Sequence, residues 1–209
     1  MIRKSARSVA ASWPVSDPAD NERLSARQLA RRKRIVAAAM DLAARGGYDA
    51  VQMRDVANHA RVALGTLYRY FSSKDHLLAW TWIDWSQDLQ EHLVRNPPRG
   101  AKPAERIMDF IERATQALER EPKLASALLK SLLSPDLKAE GPRRELFAVM
   151  RRVIDKELAN LSERDRAGIY EILGHVWYAN LLMWVSGRSE SVQVRENLAT
   201  ACRLLIANH

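Results

Sequence analysis

Apolar residues along most of this chain recur three and four positions apart, and no long alternating run of Val, Ile and Thr offers a half-buried strand. Helices are therefore the regular structure that the pattern supports. Only 3 Phe and 8 Gly among 209 residues point the same way, and a 47% hydrophobic content can bury a substantial core. Punctuation then divides the chain. Residues 1–24 carry Pro14, Pro18 and scattered charges without periodicity and read as a flexible basic arm. Ser25 with Gln28 makes a capping box for a first helix, which Gly46-Gly47 stops; its stripe is Ile35, Ala38, Ala39, Leu42 and Ala43. Short helices follow at about 53–60 and 64–70. Ser73 caps a long fourth helix with Leu78, Trp82, Trp85, Leu89 and Leu93 on one face.

Asn96-Pro97-Pro98-Arg99-Gly100 is the clearest break. Beyond it a helix is expected at about 103–121 with Ile107, Phe110, Ile111, Ala114 and Leu118 inward, and Pro122 opens another that reaches Leu133. Ser134 to Pro142 reads as a loop. A helix then carries Leu146, Met150, Ile154 and Leu158. Ser162 with Asp165 caps a long helix ending near Gly187, and a last one covers about 191–207. The expectation is an all-α chain of nine helices, with a small three-helix head at 25–74 and a larger helical bundle at 75–209.

Charge is distributed by the same division. The net charge is +8, and residues 1–74 hold 14 Lys/Arg against 6 Asp/Glu, while residues 75–209 hold 19 of each. A basic tail would explain this blandly, but Arg27, Arg31, Arg32, Lys33 and Arg34 fall where a helix begins. A basic small module on a neutral larger one is the electrostatic footprint of a nucleic-acid binder. The single cysteine, Cys202, excludes an intrachain disulfide framework and fits a reducing cytoplasm. No apolar stretch follows the charged opening, so no signal peptide is read there. The longest uncharged stretch, Ile172 to Gly187, falls short of the ~20 apolar residues of a membrane span. A soluble, cytoplasmic protein is expected.

The informative segment is residues 52–71, QMRDVANHARVALGTLYRYF. Val56 and Ala57 turn the second helix inward, Arg61-Val62-Ala63 makes a three-residue turn plugged by the valine, and Leu67 and Phe71 bury the far side of the third helix. Leu64, Gly65, Thr66, Tyr68, Arg69 and Tyr70 are left for a groove, which is helix-turn-helix logic.

From the first helix through Gly47-Tyr48, Arg54-Asp55-Val56-Ala57, Gly65-Thr66-Leu67-Tyr68-Arg69-Tyr70-Phe71 and Ser73-Lys74, the chain resembles the TetR family of transcription regulators. The resemblance covers about residues 27–80. It implies a dimeric repressor that binds palindromic operator DNA and is released by a small ligand. It implies roles too: Arg54 on a guanine edge, Gly65 for close backbone approach, Leu64, Thr66, Tyr68 and Tyr70 at the groove, Arg69 on base or backbone, and Lys74 as a phosphate clamp. One of Tyr68 and Tyr70 has the alternative of packing on the head's small core. Two departures stand out. Arg61 occupies the turn where the family has glycine, which implies strain, and Ala63 replaces the Ser or Thr cap, forgoing ~1 kcal/mol on the third helix.

In residues 75–209 the apolar candidates for a ligand cavity are Trp82, Trp85, Leu89, Phe110, Ala114, Leu129, Phe147, Met150, Trp177, Leu181 and Trp184. A packed core explains each of them as well; Trp and Met also suit an elongated pocket for a small apolar effector. No carboxylate pair, nucleophile–base arrangement or metal-ligand spacing is visible, so neither an enzyme nor a cofactor is expected. Gly46 to Arg54, Val62 to Thr66, Val176 to Trp184 and Leu198 to Ile206 further resemble the actinobacterial KstR-type repressors of cholesterol and steroid catabolism, the likeness being looser from Asp84 to Leu161. This implies a steroid acyl-CoA inducer, with Arg106, Arg113 and Lys130 as candidates for a basic mouth, solvated helix faces explaining them as well. The surplus of apolar residues on the last two helices (Ile172, Val176, Leu181, Val185, Val194, Leu198, Ala201, Leu205) implies a homodimer. Rival readings are a multidrug or fatty-acyl sensor, a helical lipid-binding protein without DNA function, and a helical enzyme.

Overall fold

A computed structural model describes residues 25–206, without the side chains of Asp88, Val94, Leu137, Glu140, residues 142–147 and Val149. The arm expected at 1–24, and the Leu146 and Phe147 side chains, lie outside the described residues. Among those described there are nine α-helices and no strand: α1 (Ala26–Ala50), α2 (Met53–His59), α3 (Leu64–Tyr70), α4 (Lys74–Arg95), α5 (Pro103–Glu119), α6 (Pro122–Ser131), α7 (Glu140–Glu157), α8 (Glu163–Val185) and α9 (Ser191–Ile206). A 3-10 turn, Leu137–Ala139, precedes α7. No helix among them is long and apolar enough to cross a membrane.

Helix ends follow local chemistry. Ser25 and Gln28 exchange hydrogen bonds, the serine N–H donating to Oε1 (2.8 Å) and the Gln28 N–H to the hydroxyl (3.4 Å). Ser73 and Ser162 accept from the N–H groups of His76 (3.0 Å) and Asp165 (3.1 Å), starting α4 and α8. Gly187, at φ +70°, ends α8: its N–H reaches the Trp184 carbonyl and that of Arg188 the Met183 carbonyl, the paired bonds of a Schellman cap. Two boundaries differ from expectation. Helical structure resumes after Gly47 (φ +72°), so α1 is kinked there and runs on to Ala50. And α7 starts at Glu140, inside the expected loop, because Pro142 sits in its first turn, where a missing N–H removes no helical bond.

One continuous core runs through head and bundle. Ile35, Ala38, Ala39 and Ala43 of α1 are buried, as are Ile107, Phe110, Ile111, Ala114 and Leu118 of α5, Met150 and Ile154 of α7, and Leu158 at its C-cap. Leu42 is half-buried at the stripe's edge. The most extensive helix pairing in the molecule is α1 on α6, and α4 packs on α1, α6 and α7. The head is thus seated on the bundle through two helices. α9 lies against α8 and α5.

Candidate nucleic-acid interface and apolar cavity

The head is built from the buried side outward. Val56, Ala57, Leu67 and Phe71 are fully buried, which holds α2 against α3, and Val62 packs half-buried in the angle. The chain between them obeys a helix-ending rule. The Arg61 N–H donates to the Asn58 carbonyl (3.1 Å) and the Val62 N–H to the Ala57 carbonyl (2.9 Å), the same paired cap that Gly187 makes on α8. That cap needs a left-handed residue, and Arg61 supplies it at φ +54°, the one non-glycine with positive φ among the described residues. The strain implied by an arginine in place of glycine is therefore present, because its Cβ crowds the following carbonyl. Ala63 then caps α3 with its backbone alone: no side chain accepts from the first turn.

On the outer side, Arg54, Gly65, Arg69 and Tyr68 (50% exposed) are open to solvent, while Leu64, Thr66 and Tyr70 are half-buried. Tyr70 packs on the core with its ring 6.3 Å from that of Phe71, so it is the tyrosine that leans on the head's interior. At Gly65 an added Cβ would meet nothing within 4 Å. The fold has no packing reason for glycine there.

Lys74 is turned otherwise than expected. Its ammonium donates to the Tyr48 carbonyl (3.2 Å) and lies 3.7 Å from the centre of the Tyr48 ring. A phosphate contact from Lys74 competes with that pair of contacts or uses a remaining ammonium hydrogen. The same tyrosine donates its hydroxyl to Asp75 Oδ1 (2.7 Å). Burial, then that hydrogen bond and the Asp75 charge, push the phenol up to about 12. Around this knot, Lys123 of α6 donates to the Arg45 carbonyl at the end of α1 (2.8 Å). Arg32 stacks 3.5 Å over Trp80. The Ser73 hydroxyl donates to Asp136, which helps hold that carboxyl below the usual carboxylate range. Neither Asp136 nor Lys123 carried a local sequence signal, since both act across more than 60 residues.

In the bundle, a narrow cavity of about 50 Å³ runs between α4, α5, α6, α7 and α8. Eight of the eleven expected residues line it: Trp82, Trp85 and Leu89 from α4, Phe110 from α5, Leu129 from α6, Met150 from α7, and Trp177 and Leu181 from α8. Two expectations are corrected. Ala114 is fully buried without reaching the wall, and Trp184 is half-buried away from it. Helical spacing assigns both to an inward face without saying where along that face the packing leaves a gap. Ser86, Leu118, Leu132, Gly174 and Tyr178 complete the lining. Gly174 was readable: a glycine inside a long helix weakens it, and a Cβ there would meet nothing within 4 Å.

The expected basic mouth is also corrected. Arg106 is bound to Glu157 (2.5 Å) and to the carbonyls of Gly100 and Ala101, and Arg113 to Asp109 (2.8 Å) and the Asn96 carbonyl (2.7 Å). Lys130 lies toward the head, 6.0 Å from the Tyr48 ring. None of the three lines the cavity. On the outer faces of α8 and α9, Ile172, Met183, Val192 and Leu204 are exposed at 43–68%, beside half-buried Val176, Val185, Ala201 and Leu205. Leu181, Val194 and Leu198, assigned to the same surplus, belong to the core. No group of three metal-ligating side chains occurs among the described residues.

Residues 35–79 match bacterial regulatory proteins of the tetR family, and residues 100–205 match the tetracyclin repressor-like C-terminal domain. Over 205 residues the chain is 33% identical to the HTH-type transcriptional repressor KstR of Rhodococcus jostii, covering 98% of this chain and 96% of that one. A TetR regulator from Rhodococcus sp. RHA1 superposes with a TM-score of 0.78 at 26% identity, covering 87% of this chain and 98% of that one. Thermus thermophilus FadR, a TetR-family repressor in complex with lauroyl-CoA, superposes with a TM-score of 0.68 at 22% identity, over 84% and 93% of the two chains, a likeness of fold alone.

Proposed function

The chain belongs to the TetR family of bacterial transcription regulators, and we propose that it represses steroid-catabolism genes and leaves its operator when a steroid acyl-CoA thioester enters the cavity. The steroid assignment rests on the resemblance to KstR, which runs through both modules, and on a cavity walled by indole and thioether groups.

One observation carries the mechanism. Two of the five helices that wall the cavity, α4 and α6, also hold the head, through Lys74 and Asp75 on Tyr48 and through Lys123 on Arg45 near the end of α1. Pockets for molecules of steroid size occupy ~300–1,000 Å³, so a cavity of about 50 Å³ must widen to admit one. Widening moves α4 or α6 and with them the recognition helix. The effector then acts through its greater affinity for the widened state.

On the DNA side, α3 offers Gly65, Tyr68 and Arg69 to the major groove, with Leu64, Thr66 and Tyr70 at its margin and Arg54 reaching from α2. Lys74 reaches phosphate in place of its Tyr48 contacts or beside them. A second copy covers the exposed apolar residues of α8 and α9, setting two recognition helices on one palindrome. Sedimentation as a monomer at micromolar concentration would remove that part. A long-chain acyl-CoA is the second reading, supported by the lauroyl-CoA held by the FadR neighbour. Thermal shifts with steroid and fatty acyl-CoAs decide between them: no shift with any steroid thioester sinks the steroid reading, and operator affinity unchanged at saturating effector sinks the coupling.

A further inference from the structure

On the wall of the cavity, Trp82 carries a polar group that the described protein leaves unused. Trp82 is only 4% exposed, it lines the cavity, and its indole N–H has no hydrogen-bond acceptor among the described residues. The Trp177 and Ser86 donors on the same walls are committed inside the protein. The Trp177 N–H donates to the Thr115 hydroxyl (3.0 Å) and the Ser86 hydroxyl to the Ile83 carbonyl (2.8 Å). Beside Trp82 stands the Trp85 ring, 5.2 Å away and tilted by 75°, and an aromatic face is a weaker acceptor than oxygen. Buried indole N–H groups usually find a partner, because leaving a donor dry forfeits its hydration. A bridging water needs two or more polar partners, and this wall is almost wholly apolar.

We propose that the effector presents a ketone or hydroxyl oxygen to the Trp82 indole N–H, so that the site selects apolar molecules bearing an oxygen on the part that meets α4. This rests on the cavity being the effector site. Selectivity follows from satisfaction of a buried donor: an analogue without the oxygen leaves Trp82 unpaired, whereas one with it gains the bond. Trp82 also lies two turns along α4 from Lys74 and Asp75, so a ligand anchored there acts on the helix that holds the head.

The test uses matched pairs that differ in the oxygen: 5α-androstane against 5α-androstan-3-one and 5α-androstan-17-one, and dodecane against 2-dodecanone. Affinities are read by displacement of an anilinonaphthalene sulfonate dye from the full-length wild-type protein and from Trp82→Phe, which keeps an aromatic ring and removes the N–H. Within at least one pair, the ketone is expected to bind about tenfold tighter than its hydrocarbon in wild type, and the ratio to fall near one in Trp82→Phe. Independently of the variant's folding, the Trp82 indole proton in ¹⁵N-labelled wild type should move downfield on binding the ketone and not the hydrocarbon. A ratio near one in wild type, a preference that survives in Trp82→Phe, an unmoved indole proton, or no binding by any of the five probes overturns the proposal. If only the dodecanone pair shows the preference, the steroid reading fails and this one stands. If steroid thioesters release the operator without a ketone preference, the reverse holds.

Discussion

Replacing Gly65 by alanine should move stability and DNA affinity in opposite directions. Gly65 is the second residue of α3, exposed, with open space where a Cβ would stand. Alanine exceeds glycine in a helix interior by ~0.8–1 kcal/mol, and a first-turn position realises about half of that. The variant should therefore gain about 0.5 kcal/mol, which for a chain of this length raises Tm by roughly 1–2 °C. At the groove the same methyl stands between the recognition-helix backbone and the DNA. A loss of at least about tenfold in affinity, ~1.4 kcal/mol, is expected. The assay pairs thermal melting with fluorescence anisotropy on a duplex selected from random sequences by the wild-type protein, at fixed salt because the phosphate contribution is salt-dependent. Equal affinity in the two proteins would refute the close approach. Lower stability would show that the glycine serves the fold after all. Only the combination of a firmer head and weaker binding supports the argument.

Arg61→Gly should relieve about 1–2 kcal/mol of left-handed strain while adding ~0.5–1 kcal/mol of glycine entropy, leaving a small net gain in Tm. Ala63→Ser supplies the absent cap of α3 and should add about 1 kcal/mol, measured by denaturant melting. Gly174→Leu places a side chain where the cavity is open, so it should abolish effector-induced release from DNA while operator affinity stays within about twofold; a retained response would relocate the effector site. Tyr48→Phe removes the bond to Asp75 and should lower stability by about 1 kcal/mol. The folded state holds the Tyr48 proton more tightly than the unfolded chain. Its contribution is thus intact below about pH 10 and lost as pH rises through about 12, and an ultraviolet phenolate titration of the variant should lack one late-ionising tyrosine.

Local chemistry explains which features were legible in advance. Ser25, Ser73 and Ser162 cap helices through neighbours three residues away, and Arg61 and Ala63 betray themselves because a three-residue turn leaves few alternatives. The inward faces of α1, α5 and α7 follow from spacing alone. Arg106 and Arg113 were misjudged because a basic residue on a helix reads the same whether it meets a ligand or Glu157 and Asp109. The Tyr48 contacts of Lys74 were hidden for a related reason: its place at the start of α4 is local, but Tyr48 meets it only once α1 has folded back.

By itself, then, the sequence determined the nine helices of the described residues, their principal buried stripes and which residues of α3 face solvent, all consequences of interactions within one or two helical turns. Tertiary packing alone decided where five helices fail to close on one another, leaving a cavity beside Gly174. It also decided which cations are already paired, and it left the Trp82 indole N–H without an acceptor among the described residues. Those outcomes depend on how side chains from distant segments fill shared space, and periodicity along a single helix carries no record of that.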